Sequence, residues 1–429
     1  MASTPATRTA LEPLRALRYN SEFVELADVV APPYDIISPA DREALRRRSD
    51  HSVVRLLLPE SPREAAQLLH DWRREGVLLR DTQPSLWWHA QSYVAPDGRE
   101  GTRSGFLAAV RLSPYEDGRV RPHEQTRPAT RADRLELMRA VAANLSPVFA
   151  LYDDPAGGAR TALSEHAAGA PAMEVTDADG TVHRFWQVTD AGAVAGVQDA
   201  MAERRIVIAD GHHRYETALA YRDECRAKLG DPERDLPSDF VLMHLVNVHG
   251  EGLVVYPTHR VVMGRREVTA DLLSAFAVRE VSGTPAQVEA DLGAVPAGTV
   301  AFAVWRGSGR PALLCTLREK TAVTMAMHGS PAVLRKVDAA VLEAVVLRPM
   351  LGLLDPEQFA ATDAVRYVRE LAAATAPVDQ GESAAAFILR PPTVAQVQAV
   401  ADAGTVMPQK STYFFPKLWS GFLLNPLDN

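Results

Sequence analysis

The sequence predicts a mixed α/β (α+β) protein: a mixed-sheet core carrying additional α/β lobes at its N-terminal and C-terminal ends. Three observations predict it. Short apolar runs alternate with amphipathic helical stretches along the chain. A wholly apolar strand, Ile206-Val207-Ile208-Ala209, passes through a glycine turn into a stretch of helical composition. The 47% hydrophobic and 23% charged content is that of a folded globular chain. At 429 residues a single core is too small a plan. The expected division is an N-terminal region over 1–115, a core over 116–265, and a C-terminal region over 266–429 whose tail (405–425) returns to the core.

The elements follow in order. Pro32-Pro33 forces an extended turn after Val29-Val30, and Ser38-Pro39 opens a charged helix to about residue 48. Residues 53–58 read as a buried strand and 62–75 as an amphipathic helix. Leu86-Trp87-Trp88 and Phe106 to Val110 read as strands flanking the turn Pro96-Asp97-Gly98. A helix with Thr130 and Asp133 in capping-box spacing carries Leu135, Met138, Val141 and Leu145 as its apolar stripe. Residues 154–172 read as a loose surface segment. Asp210 to Arg214 is the turn after the 206–209 strand, and Tyr215 to Lys228 the helix that follows. Val241 to Val248 and Leu253 to Tyr256 read as a hairpin around Gly250-Glu251-Gly252. Beyond it lie an αβ pattern over 266–330, helices at 335–347 and 357–374, a strand at 385–389, a helix capped by Thr393 with Gln396, and a loop-strand tail.

Bulk properties exclude several classes. The net charge of −8 lacks the basic surplus on which a dedicated nucleic-acid binder depends. Cys225 and Cys315 are the two cysteines, which leaves no disulfide framework or CxxC zinc site and fits a reducing compartment. The polar N-terminus has no signal-peptide core and no run suits a membrane span, so cytoplasm is the expected location.

The segment Ala209-Asp210-Gly211-His212-His213-Arg214-Tyr215 is the strongest chemical signal. A glycine turn between strand and helix presents backbone N–H groups and the helix dipole to an anion, typically phosphate. Arg214 adds a bidentate fork, and Asp210 stands where it could hold a metal ion or take a substrate proton. The plain alternative is a tight turn with Asp210 as cap. Adjacent histidines on a turn do not make a zinc pair of the HExxH kind. A second cluster is His123, Glu124, Thr126, Arg127 and Arg131, with Arg134 and Arg139 on the following helix. One carboxylate among so many cations suits a base that orients a hydroxyl, and a charged surface helix is the alternative. Lys410, Ser411, Thr412 and Lys417 offer hydroxyls and ammonium groups to phosphate oxygens, or decorate a strand edge. The P-loop, GxGxxG, GxSxG and HExxH motifs are all absent.

These residues carry a resemblance. IADGHHRYETALAYRDE, with RPHEQT, DRLELM and ANLSPVFALYDD upstream and YPTHRVV and PQKSTYFFPKL downstream, resembles a widespread bacterial and archaeal domain-of-unknown-function family. The similarity runs from APPYDIIS to the C-terminus. The central turn also resembles that of the ParB–sulfiredoxin–free serine kinase superfamily, matching the kinase motif letter for letter over Asp210 to Arg214. The resemblance implies a ParB/serine-kinase-like core in which Asp210, Gly211, His212, His213 and Arg214 form the phosphate-binding and catalytic turn. It implies an upstream glutamate that activates the acceptor hydroxyl, assigned to Glu124. Sulfinic acid repair is disfavoured, since the turn has no cysteine.

The expected function is a small-molecule kinase moving phosphate from ATP or ADP to the hydroxyl of free L-serine or a similar hydroxy acid. Glu124, Asp210 and His213 are the catalytic candidates, and Asp210 the Mg²⁺ ligand. Gly211, His212, Arg214, Arg127, Lys410, Ser411, Thr412 and Lys417 are the candidates for nucleotide contacts. The alternatives are a nucleotide-binding ParB-like regulator, DNA-associated and without kinase activity, and a hydrolase of a phosphorylated substrate. The partners expected are a nucleotide and a hydroxylated small molecule, with no membrane or nucleic acid; a homodimer is left open.

Overall fold

The apolar stretches between Leu86 and Asn247 are strands of one sheet. The computed structural model describes residues 10–125, 128–264 and 266–428, the side chains of 128–131 excepted. The chain forms two compact units. Residues 10–121, 128–253 and 416–428 belong to the first, and 122–125 with 254–415 to the second.

In the first unit the strands of the main sheet are β1 (Leu11–Glu12), β2 (Leu86–Val94), β3 (Glu100–Arg111), β4 (Val120–Arg121), β5 (Val148–Tyr152), β6 (Met173–Thr176), β7 (Val182–Val188), β8 (Ile206–Asp210) and β9 (Phe240–Asn247). Their order is β4-β8-β5-β9-β3-β2-β7-β6, with β1 also on β3. The pairs β4/β8 and β5/β9 are parallel and the others antiparallel, so the sheet is mixed. The longer helices are α1 (Pro39–Arg48), α2 (Pro62–Arg74), α3 (Pro128–Val141), α4 (Ala191–Met201) and α5 (His212–Lys228). Val197 and Met201 of α4 and Tyr215 and Ala218 of α5 pack with Phe106, Ala150 and Ile208 of the strands. Trp419, Phe422 and Leu423 of the tail pack with Trp87, Leu107 and Leu242, which alternate with that first set and so point to the opposite face. Helices α1 and α2 enclose a further cluster with Leu17, Tyr19 and Trp72.

The second unit is built on an antiparallel sheet. Its strands are β10 (Val254–Tyr256), β11 (His259–Met263), β12 (Phe276–Val281), β13 (Ala301–Trp305), β14 (Ala312–Leu317), β15 (Val365–Val368), β16 (Ser383–Ile388) and β17 (Tyr413–Phe415). Six of them are ordered β12-β14-β13-β16-β11-β15, and β10 pairs with β17 separately. Among the described residues no helix is long and apolar enough to cross a membrane.

Local signals held where they had a stated cause. Ser38 closes a capping box on α1, and Thr393 does so with Gln396. Five expectations are corrected. The helix expected over 357–374 is broken: Pro356–Ala361 is helical, and Val365–Val368 is strand β15. Residues 54–57 form a short helix rather than a strand; Val53, Val54, Leu56 and Leu57 are all buried, and a run buried all round carries no period. Helix α3 begins at Pro128, so Thr130 lies inside it rather than capping it. Part of the 154–172 segment is helical, Gly158–Ser164, with Ala159 and Leu163 buried. The hairpin around Gly250 does not form: β9 lies between β3 and β5, and β10 pairs with β17. Gly252 (φ 71°) turns the chain against the Thr102 carbonyl, where a Cβ would come within 2.4 Å.

Candidate functional site

Strand β8 runs one residue further than expected, through Asp210, and α5 begins at His212. The turn is therefore Gly211 alone, with φ 91°, and His212, His213 and Arg214 form the first helical turn. A Cβ at Gly211 would stand 2.7–3.0 Å from the Arg214 guanidinium, which folds back over it and would have to move. The positive φ is what requires glycine here. Among the described residues no side chain caps this 17-residue helix at its start.

Asp210 meets two cations. Its Oδ2 accepts from Lys417 Nζ at 2.8 Å, and its Oδ1 lies 3.6 Å from Arg214 Nη2. Arg214 also donates through Nη1 to the Pro147 carbonyl. All three side chains are largely buried. One carboxylate thus sits between a lysine and an arginine at a helix start, leaving a net positive turn.

Tyr215 anchors the helix. Its hydroxyl donates to the Ser113 carbonyl (2.7 Å) and accepts from the Ser113 amide (3.0 Å), and its ring stacks on Tyr115 at 5.5 Å. Tyr215→Phe strands both Ser113 groups in a buried place, at a cost of about 1–3 kcal/mol for each. The expected result is a Tm lower by several degrees; an unchanged Tm would show that the anchor is dispensable.

A clamp that the sequence reading missed positions Lys417. Arg103, fully buried, donates to Gln91 Oε1 (3.1 and 2.5 Å) and to the Pro416 carbonyl (2.7 Å), and lies 4.6 Å over the Phe149 ring. Gln91 Nε2 donates to the Lys417 carbonyl at 3.3 Å. Burial pushes the Arg103 pKa down, against the pull of Tyr93 and Asp210, yet a guanidinium stays charged. Its signal was present: His89 and Gln91 alternate among apolar residues of the strand, which marks a polar line on one face.

That line continues as a chain of buried imidazoles. Asp177 Oδ2 pairs with His183 Nε2 (3.0 Å), His183 Nδ1 with His89 Nε2 (3.2 Å), and His89 Nδ1 with His244 Nε2 (3.3 Å). An ionised Asp177 only accepts, so each ring carries its proton on Nε2. His244 Nδ1 ends the chain with no partner among the described residues.

Glu124, Lys410, Ser411 and Thr412 lie in the second unit. The Ser411 amide donates to Glu124 Oε2 (3.3 Å), Ser411 Oγ to the Pro408 carbonyl (2.6 Å), and Thr412 Oγ1 meets His123 Nε2 (2.7 Å). Lys410 has φ 55° in the turn before them. Glu124, Ser411 and Thr412 are thus neighbours there, as Asp210, Arg214 and Lys417 are in the first unit. Thr126, Arg127 and the Arg131 side chain lie outside the described residues. Arg134 donates to the Leu57 carbonyl and covers the Tyr34 ring, and Arg139 pairs with Glu224 (2.6 Å). Among the described residues no three His, Cys, Asp or Glu side chains gather to hold a metal ion. Asp210 already answers two cations, so the donor set does not suit a resident magnesium ion.

The sequence matches the family described as "Protein of unknown function (DUF1015)" over residues 11–340, and the chain belongs to that family. No curated protein matches. Solved structures with some likeness include a free serine kinase in complex with AMP, 15% identical over 69% of this chain and 83% of that one, with a TM-score of 0.33. A conserved hypothetical protein from Pyrococcus furiosus is 15% identical over 70% and 89%, at 0.34. SbnI from Staphylococcus aureus, truncated at its C-terminus, is 13% identical over 75% and 87%, at 0.35.

Proposed function

We propose that the chain is a small-molecule kinase that transfers a phosphoryl group from ATP or ADP to the hydroxyl of a free hydroxy acid, L-serine being the first candidate. The observation that carries the reading is the Asp210 turn: a glycine-started helix, Arg214 folded over the glycine, and Lys417 fixed on the carboxylate. Phosphoryl transfer asks for positioning and charge stabilisation, which a net positive, partly buried helix start provides. The letter-for-letter resemblance of Asp210 to Arg214 to the serine kinase motif supports it.

The acceptor oxygen attacks the terminal phosphorus, the bond to the leaving nucleotide oxygen breaks, and the acceptor proton passes to a base. Arg214, Lys417 and the first-turn N–H groups, with His212 and His213, would take the phosphate charge. Glu124 is the proposed base on the strength of the resemblance.

The test is nucleotide consumption with and without L-serine, followed by ³¹P NMR. Acceptor-dependent formation of a phosphate monoester is expected; consumption without acceptor would favour the hydrolase. Glu124→Gln is expected to keep nucleotide affinity within about threefold and to lower transfer by roughly 10²-fold or more, the scale of general-base catalysis. Loss of binding alone would remove Glu124 from the role of base.

A further inference from the structure

A cavity in the first unit adjoins the Asp210 turn and shares Arg214 with it. Its volume is about 60 Å³ on the scale where one water needs roughly 10–15 Å³, so it holds about four to six waters. That is the bulk of a single ring system. Leu57, Leu137, Val141 and Leu145 make its walls aliphatic. One aromatic face is added by Tyr34, whose ring is covered by the Arg134 guanidinium at 4.7 Å. Tyr34 and Arg214 both line the cavity, which places this end beside the turn.

Two lining residues carry unmet hydrogen-bonding capacity. Asn144 Nδ2 and Thr217 Oγ1 are buried and have no hydrogen-bond partner among the described residues. The Asn144 oxygen is already used by the Leu242 amide and by Asn425 Nδ2, so its donor end is the spare one. A buried polar group left unmet costs stability, and such groups ask for an explanation. A hydroxy acid does not fit aliphatic walls, and a plain alkyl chain would leave both polar groups unmet.

We infer that this cavity seats the base of the nucleotide whose phosphates bind at Gly211 to Arg214: a planar nitrogen heterocycle, with ring acceptors for Asn144 and a polar edge for Thr217. The inference rests on the phosphate-binding reading of the turn, and Arg214 is the side chain common to both parts.

Calorimetric titration of the full chain with ATP and with inorganic tripolyphosphate separates the two. The wild type is expected to bind ATP at least about 30-fold more tightly, the gain from burying one ring. Met138→Trp, on α3 at the cavity wall, fills the space. It should erase that preference to within about threefold while tripolyphosphate affinity stays unchanged. Thr217→Val, a change of no added bulk, should lower ATP affinity alone by roughly three- to tenfold, and it decides the matter if the tryptophan variant does not fold. Equal affinity of the wild type for both ligands, or an ATP preference that survives in both variants, overturns the base site and leaves the phosphate turn standing. Failure of tripolyphosphate to bind the wild type overturns the phosphate turn, and the base site with it.

Discussion

Asp210→Asn is expected to lower turnover by about 10²- to 10³-fold, the scale for removal of one electrostatic element of an active site, while the nucleotide binds as tightly as before or several-fold more tightly. The carboxylate is the anion between Lys417 and Arg214. The amide keeps its shape and removes its charge, so both cations become more available to phosphate oxygens and no longer have a carboxylate to arrange them. A fall in kcat without a rise in KM is the signature of an interaction used in the transition state rather than in uniform binding. Turnover near that of the wild type would remove Asp210 from the chemistry. Lost turnover together with a collapsed Tm would assign it to folding instead.

The second large effect is on stability against acid. Burial holds His89 and His244 well below the ordinary imidazole value near 6.5, and His183 below it despite the opposing pull of Asp177. Arg103 presses all three in the same direction. In the unfolded chain each ring takes up a proton as the pH falls through 6.5, and in the folded chain it does not. The unfolded state therefore binds more protons below 6.5, and folding stability is whole above that value and lost beneath it. Each ring contributes up to about 1.4 kcal/mol per pH unit, and the three together at most about 4. Set against a typical total of about 5–15 kcal/mol, that is enough to unfold the first unit within a few pH units. His259 in the second unit, pushed down to about 4 by burial, adds a smaller loss over the same range. Tm measured between pH 7.5 and 4.5 should fall steeply below 6.5; a flat profile would mean that the imidazoles are not held neutral.

The parts of the fold legible in the sequence were those with a local cause. The strand 206–209, the α5 helix, the Pro96-Asp97-Gly98 turn and the Ser38 and Thr393 caps are written in neighbouring residues. Residues 53–58 misled because burial on every side erases periodicity, and the Gly250 segment because a hairpin turn and a crossover begin with the same glycines. The turn at Gly211 could be read, whereas its surroundings could not. Arg103 meets Pro416 from 313 positions away, and Lys417 meets Asp210 across 207. No spacing rule joins such residues; only the alternation of His89 and Gln91 on a strand hinted that a polar line was being built.

The tail has a kinetic meaning as well. The ribosome delivers Asp210 and Arg103 early and must then make all of Val254–Phe415 before Pro416 and Lys417 emerge. Until that moment the Asp210 carboxylate lacks its ammonium partner and the Arg103 guanidinium lacks one of its carbonyls, so a nascent first unit waits unfinished. A chain that stopped before Pro416 would lack both of these contacts, the lysine on Asp210 and the carbonyl on Arg103.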